Sequence, residues 1–174
     1  MTYEMSIKAG DQWGMNCGPG ALCAVFDATP DEIRIFMGDF EKKGYTNPTL
    51  MNDTLEGVTK ALGKQWRQVY RSDNPTTDIP KVNLGLMRVQ WGGRWTNPGV
   101  PMQARYRMTH WVGLRDQSKE VFDINAVGSP ENNRWADGWL PANVWKEHMV
   151  PWILEQMVKG NDGRWWPTHV IEIL

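Results

Sequence analysis

The order of apolar and polar positions divides the chain into a helical first part and a stranded second part. The run GALCAVFD (20–27) is apolar enough for a buried helix that opens near Cys17 and ends between Asp27 and Pro30. The next start is marked by side-chain chemistry. Thr29 suits an N-cap, Pro30 suits the first helical position, and Glu32 completes a capping box. Ile33, Phe36, Met37 and Phe40 then recur at helical spacing and predict one buried face. A third helix is expected over roughly Asp53 to Leu62, stopped by Gly63. Beyond it the segments QWRQVYR (65–71), LGLMRVQ (84–90), HWVGLR (110–115) and EVFDIN (120–125) read as strands, the last two joined by the polar turn DQSK. The stretch from Trp139 to Gly160 reads as helical, with Pro141 at its first position and Pro151 forcing a kink or a split. THVIEIL (168–174) reads as a final strand. Helices first and an antiparallel sheet after predict an α+β fold. With no repeat, low-complexity segment or linker, residues 1–174 are expected to form a single domain.

Composition narrows the function classes. The formal net charge is −1 with both signs well mixed, so no basic run marks a nucleic-acid partner. No apolar run approaches the roughly 18 residues a membrane span needs. The opening MTYEMSIKAG lacks the pattern of a signal peptide, and a cytoplasmic location is expected. Cys17 and Cys23 would lie about 9 Å apart along one helix, too far for a disulfide. The 11 tryptophans fit either core packing or aromatic walls around an extended ligand such as a peptide or glycan.

The two cysteines sit in different surroundings. Cys23, among Ala21, Leu22, Ala24 and Val25, reads as a small buried hydrophobe. Cys17 stands between Asn16 and Gly18 at a helix start, where backbone N–H groups and the helix dipole favour a thiolate. His110 and His169 both open apolar strand stretches, whereas His148 lies in a polar helix. If DQSK is the turn, Arg115 faces Glu120 and paired numbers sum to 235. His110 then lies opposite Asn125, and Val112 opposite Asp123. An amide or a carboxylate is thereby delivered beside the imidazole, as a catalytic base requires. The cysteine and histidine spacings match no zinc pattern, and no metal or other cofactor is called for.

With these residues on the page, QWGMNCGP opening a helix, followed by THWVGL and VFDINA on consecutive strands, resembles the papain-like cysteine peptidase superfamily. The nearest likeness is to C39-like peptidases of the bacteriocin-processing type, and it covers the order and spacing of three short motifs. The resemblance implies a papain-like fold, with the nucleophile at a helix start packed on the sheet. It assigns Cys17 as nucleophile, Gln12 as oxyanion donor, His110 as general base, and Asn125 or its substitute Asp123 as the orienting group. Gln12 stands five residues before the cysteine, where many relatives have six, and Asn125-Ala126 replaces a common Asp-Pro. The implied reaction is hydrolysis of an amide or peptide bond, with transfer to another acceptor as a variant. Trp13, Trp95, Arg105, Tyr106, Arg107 and Trp111 are candidates for contacts to a peptide or protein substrate, against an ordinary solvated loop. A catalytically silent binding or structural module of the same fold, and a cell-wall amidase or endopeptidase of NlpC/P60 type, are the alternatives. Oligomeric state stays open.

Overall fold

The computed structural model describes residues 16–72, 74–126, 129, 134–135 and 137–174. Helix α1, Cys17–Phe26, ends where Asp27 takes a left-handed conformation with φ 50°. Helix α2, Pro30–Arg34, opens with the expected capping box. The Thr29 hydroxyl accepts from the Glu32 N–H at 3.3 Å, and the Glu32 carboxylate accepts from the Thr29 N–H at 2.8 Å. The apolar series after Thr29 does not form one helix. The chain turns through Gly38, at φ 52°, and resumes as α3, Phe40–Lys43. Ile33, Met37 and Phe40 are buried all the same, and Phe36 packs against them from the side. Helix α4, Pro48–Ala61, starts earlier than the apolar spacing implies, because Asn47 caps it by accepting from the Leu50 N–H at 2.8 Å.

Six strands follow: β1 Trp66–Arg71, β2 Leu84–Gly93, β3 Thr109–Arg115, β4 Glu120–Phe122, β5 Trp139–Pro141 and β6 Asn161–Ile173. They form one antiparallel sheet in the order β1-β6-β2-β3-β4-β5. A short helix α5, Met102–Arg105, lies in the connection between β2 and β3. After β5 the chain forms α6, Ala142–Val144, a π-helical turn, Trp145–Met149, and α7, Val150–Met157. Pro141 therefore ends a strand and caps the helix instead of occupying its first turn. The π turn has a local cause. Pro151 has no N–H for the Glu147 carbonyl and would crowd it, so the helix takes an extra residue just before it, with the Val150 N–H bonding to the Trp145 carbonyl.

Strand β6 is longer than its apolar end suggests and sits between β1 and β2. Pro167, which cannot donate to a ladder, is accommodated where the register with β2 shifts between Arg88 and Val89. Side chains alternate across the sheet as a period of two requires. Leu86, Trp111, Phe122, Trp139 and Ile171 pack with α1, α2 and α4 on one face. Met87, Val89, Val112, Val121 and Val170 pack with α7 on the other. The molecule is thus an open sheet with helices on both faces, and the site described next lies where α1 meets β3.

Candidate active site

Cys17 is the first residue of α1. Pro19 follows two positions later, where a missing N–H costs nothing because the first-turn N–H groups have no partner within the helix. The two glycines of Cys-Gly-Pro-Gly permit close packing. A Cβ on Gly18 would stand 2.2 Å from the Thr46 hydroxyl oxygen, and one on Gly20 would stand 2.5 Å from the Ile124 Cδ1. The first turn of α1 is therefore clamped between the Thr46 loop and a 3₁₀ turn, Ile124–Ala126. That turn directly follows Asp123, so the same packing that holds the sulfur also fixes the carboxylate.

The register sum of 235 holds for Arg115↔Glu120, Leu114↔Val121 and Gly113↔Phe122. There β4 ends. His110 and Asn125 are not ladder partners, nor are Val112 and Asp123, because the backbone leaves the sheet after Phe122 to form the 3₁₀ turn. The consequence is that the two candidates for the orienting group stand at different nitrogens of the ring. Asp123 Oδ1 accepts from His110 Nε2 at 2.6 Å and from the Asn125 backbone N–H at 2.9 Å, and its Oδ2 accepts from the Trp145 indole N–H at 2.8 Å. Asn125 stands at the other imidazole nitrogen, its side-chain amide 3.4 Å from Nδ1. The ring also stacks on Trp91, with centroids 5.7 Å apart and planes at 26°. His110 and Asp123 are almost wholly buried, at 2% and 1% exposure.

Nε2 is taken by Asp123, and the same imidazole hydrogen-bonds the Cys17 side chain. The Trp111 backbone N–H donates to the same sulfur, beyond the last pair that β4 makes with β3. Burial is the largest single influence on the Cys17 thiol and pushes its pKa up. The His110 charge, the His110 hydrogen bond and the Trp111 N–H together outweigh it and hold the pKa below the ordinary thiol value. Burial likewise opposes the charged form of His110, yet the Asp123 and Cys17 charges and their hydrogen bonds raise its pKa well above the usual imidazole range. The two shifts describe one thiolate–imidazolium pair steadied by a carboxylate. Cys23 is the contrast: burial inside the core pushes its thiol up to about 12.

Family models, curated proteins and solved structures give no match to this chain. The site therefore rests on its own geometry. A cleft of about 1120 Å³ opens at Cys17 and is lined also by Asn16, Thr46, Tyr106, Arg107, Trp111 and His169. Of the substrate-contact candidates, Tyr106, Arg107 and Trp111 line it. Trp111 is 1% exposed and donates its indole N–H to the Thr46 carbonyl, so it is chiefly a wall of the fold. Trp95 and Arg105 do not line this cleft. The Trp95 indole N–H donates to the Trp91 carbonyl, and the Arg105 guanidinium donates to the Val100 and Pro98 carbonyls, both at 2.7 Å. Both are spent on holding their loop. Gln12 and Trp13 lie outside the described residues. His169 stands on β6 across the sheet from β3 and is no partner of Asp123. Among the described residues no group of three or more His, Cys, Asp or Glu is placed to hold a metal ion, and no helix is long and apolar enough to cross a membrane.

Sequence reasoning did not find Trp91, Trp145, Arg71 or Arg88. The indoles gave no signal of their own among so many tryptophans. Arg88 did give one, since it stands inside the apolar run LGLMRVQ, and a guanidinium 5% exposed in a sheet requires a polar purpose.

Proposed function

We infer that this chain is a thiol-dependent hydrolase of papain-like fold that cleaves an amide or peptide bond. The observation that carries the reading is the hydrogen-bonded line from Cys17 at the start of α1, through His110 on β3, to the buried Asp123. Buried charge is expensive, and a fold that gathers a thiol, an imidazole and a carboxylate in an enclosed corner spends stability on chemistry. The chain order supports the superfamily: a helix-start cysteine, then a histidine opening a strand, then an acid at the end of the next strand.

The chemistry follows from the arrangement. The Cys17 thiolate attacks the substrate carbonyl carbon, and the carbonyl π electrons move to oxygen. Backbone N–H groups of the first turn of α1 supply donors for that oxyanion, and Gln12 is assigned the second donor by resemblance. One such donor is worth about 3 kcal/mol. The His110 imidazolium gives its proton to the leaving nitrogen as the C–N bond breaks. The neutral ring then takes a proton from water, which attacks the thioester and releases the acid and the free thiolate. Asp123 holds the ring in place through its hydrogen bond to Nε2.

Mapping of the residue modified by iodoacetamide at pH 6 tests the reading. Cys17 is expected to react at least about a hundredfold faster than Cys23, whose thiol is both buried and weakly acidic. Equal, slow labelling of both cysteines overturns the reading and favours a silent binding module. A peptide-library digest with the wild type and Cys17→Ala then separates hydrolysis from simple reactivity.

A further inference from the structure

Three successive positions on one face of β2 meet three different surroundings. Leu86, Arg88 and Gln90 share that face because side chains along a strand repeat every two residues. Leu86 lies in the core beneath the N-terminal helices, Arg88 lines the Cys17 cleft, and Gln90 lines a second cavity of about 310 Å³. Gln90 directly opposes Trp166 on β6, and Pro75, Pro98, Met102 and Tyr106 line the cavity around them. Trp166 is 7% exposed, yet among the described residues it belongs to neither of the apolar clusters on the two faces of the sheet. Met102 and Tyr106 line the Cys17 cleft as well, so the two cavities adjoin. Their spacing follows from the strands. Arg88 opposes Trp111, whose backbone N–H meets the Cys17 sulfur, and Gln90 stands two residues, or about 7 Å, further along β2.

The lining suits an apolar body that carries one donor. The two charged residues described along it are engaged by the protein itself: the Arg105 guanidinium donates to the Val100 and Pro98 carbonyls, and Arg164 pairs with Asp162 at 2.6 Å. Gln90 is 1% exposed, and its Nε2 donates to the Trp91 carbonyl at 2.9 Å and to the Met108 carbonyl at 3.1 Å. Those two bonds fix the amide, because a flipped side chain would set its oxygen against two carbonyls. The Gln90 Oε1 is left buried with no hydrogen bond within the protein. Tying β2 to the loop before β3 accounts for the amide nitrogen and not for this oxygen. A buried acceptor without a partner costs stability unless something else satisfies it.

We propose that this second cavity seats a tyrosine or tryptophan side chain of the peptide substrate, with its O–H or N–H donated to Gln90 Oε1. The proposal rests on the reading of Cys17 as nucleophile and names the residue type its substrate presents. An aromatic ring with a polar tip matches both parts of the lining: Trp166, Pro75, Pro98 and Met102 meet the ring, and the amide oxygen meets the tip. A carboxylate brings a second acceptor to that oxygen and is refused. An extended chain advances at most about 3.3–3.6 Å per residue, so the aromatic residue stands roughly two or three residues from the bond cleaved at Cys17.

The test uses alanine pentapeptide amides whose central residue is Tyr, Trp, Phe or Ala, on the whole protein. Fluorescein-labelled forms report binding by anisotropy to Cys17→Ala, which consumes no probe. Unlabelled forms report occupation of the adjoining cleft by slowing iodoacetamide at Cys17 of the wild type. The Phe probe is expected to bind about tenfold or more tightly than the Ala probe. The better of the Tyr and Trp probes is expected to gain about threefold or more over Phe, and it identifies the residue recognised. Adding Gln90→Met, which keeps the length and removes the acceptor, is expected to erase the gain over Phe and keep the preference of Phe over Ala. A probe with diazirinyl-phenylalanine at its centre tests the place without altering Gln90, and photolysis is expected to attach it within residues 96–98 or 164–166. Equal binding of all four probes, a gain over Phe that survives Gln90→Met, or attachment confined to other segments overturns the proposal. So does binding of the Tyr and Trp probes that leaves a selectively labelled Cys17 unprotected. Anisotropy and photolysis do not depend on thiol chemistry, so the expected results in both without selective labelling of Cys17 overturn only the nucleophile reading and the cleavage it entails.

Discussion

At the scale of single residues, Asp123 is what holds the histidine in place. Its two oxygens are divided among the His110 ring, the Trp145 indole and the Asn125 backbone N–H, so the carboxylate is fixed before any substrate arrives. Asp123→Asn keeps the shape but removes the charge that sustains the imidazolium and permits the wrong tautomer. Turnover is expected to fall on the order of 10³-fold or more, read as kcat on a cleaved library peptide. The pH profile carries a sign that a packing defect does not reproduce. In the proposed mechanism the active form has Cys17 deprotonated and His110 protonated. Its rate rises as pH passes the lowered Cys17 pKa and falls as pH passes the raised His110 pKa. In Asp123→Asn the alkaline limb moves to lower pH, because the carboxylate is a principal support of the protonated ring. An alkaline limb that stays in place assigns the orienting role elsewhere. Cys17 and His110 were legible in the sequence because helix-start and strand-start signals are local. The choice between Asp123 and Asn125 was not, because it depends on where β4 stops, and a register count carries no information about strand length.

At the scale of elements, α1 is positioned by what its first turn lacks. The small residue at position 20 lets the helix rest on Ile124, and the clearance is too small for one more carbon. Gly20→Ala is expected to move the sulfur away from the imidazole and lower kcat by about 10- to 100-fold, since misplacement by about 1 Å is enough for such a loss. Circular dichroism should show the helix intact, because alanine favours helix over glycine. Unchanged turnover would mean that the clamp does not set the catalytic distance. The elements themselves were largely readable where side chains supply their own punctuation, as at Thr29-Pro30-Asp31-Glu32. They were misjudged where distant partners decide. The hydrophilic stretch from Asn161 to Arg164 belongs to β6 only because β2 offers it a ladder, with Gly93↔Asn161 as a pair. The division between α2 and α3 follows from Gly38, which no apolar spacing reveals.

At the scale of the whole molecule, the sheet depends on an insertion. Strand β6 lies between β1 and β2, so residues far apart in sequence must meet before β1 joins the sheet. Deletion of residues 161–174 removes both ladders of β6 and takes Val170 out of one core and Ile171 and Ile173 out of the other, uncovering their neighbours. The shortened chain is expected to lose cooperative thermal unfolding and to be cut by trypsin throughout β1 and β2. A protected fragment spanning α1 to β3 would show instead that the nucleophile and base assemble without it. The edges are managed as the physics of exposed ladders demands. β5 is only three residues long, and β1 carries Arg67, Gln68 and Arg71 along its length.

The stacking of Trp91 on His110 has an optical consequence. An indole beside a protonated imidazole loses part of its emission by electron transfer, and recovers it when the ring gives up its charge. If the proposed mechanism holds, the brightness of Trp91 is expected to follow the charge of the His110 ring and to rise and fall once in each acyl cycle.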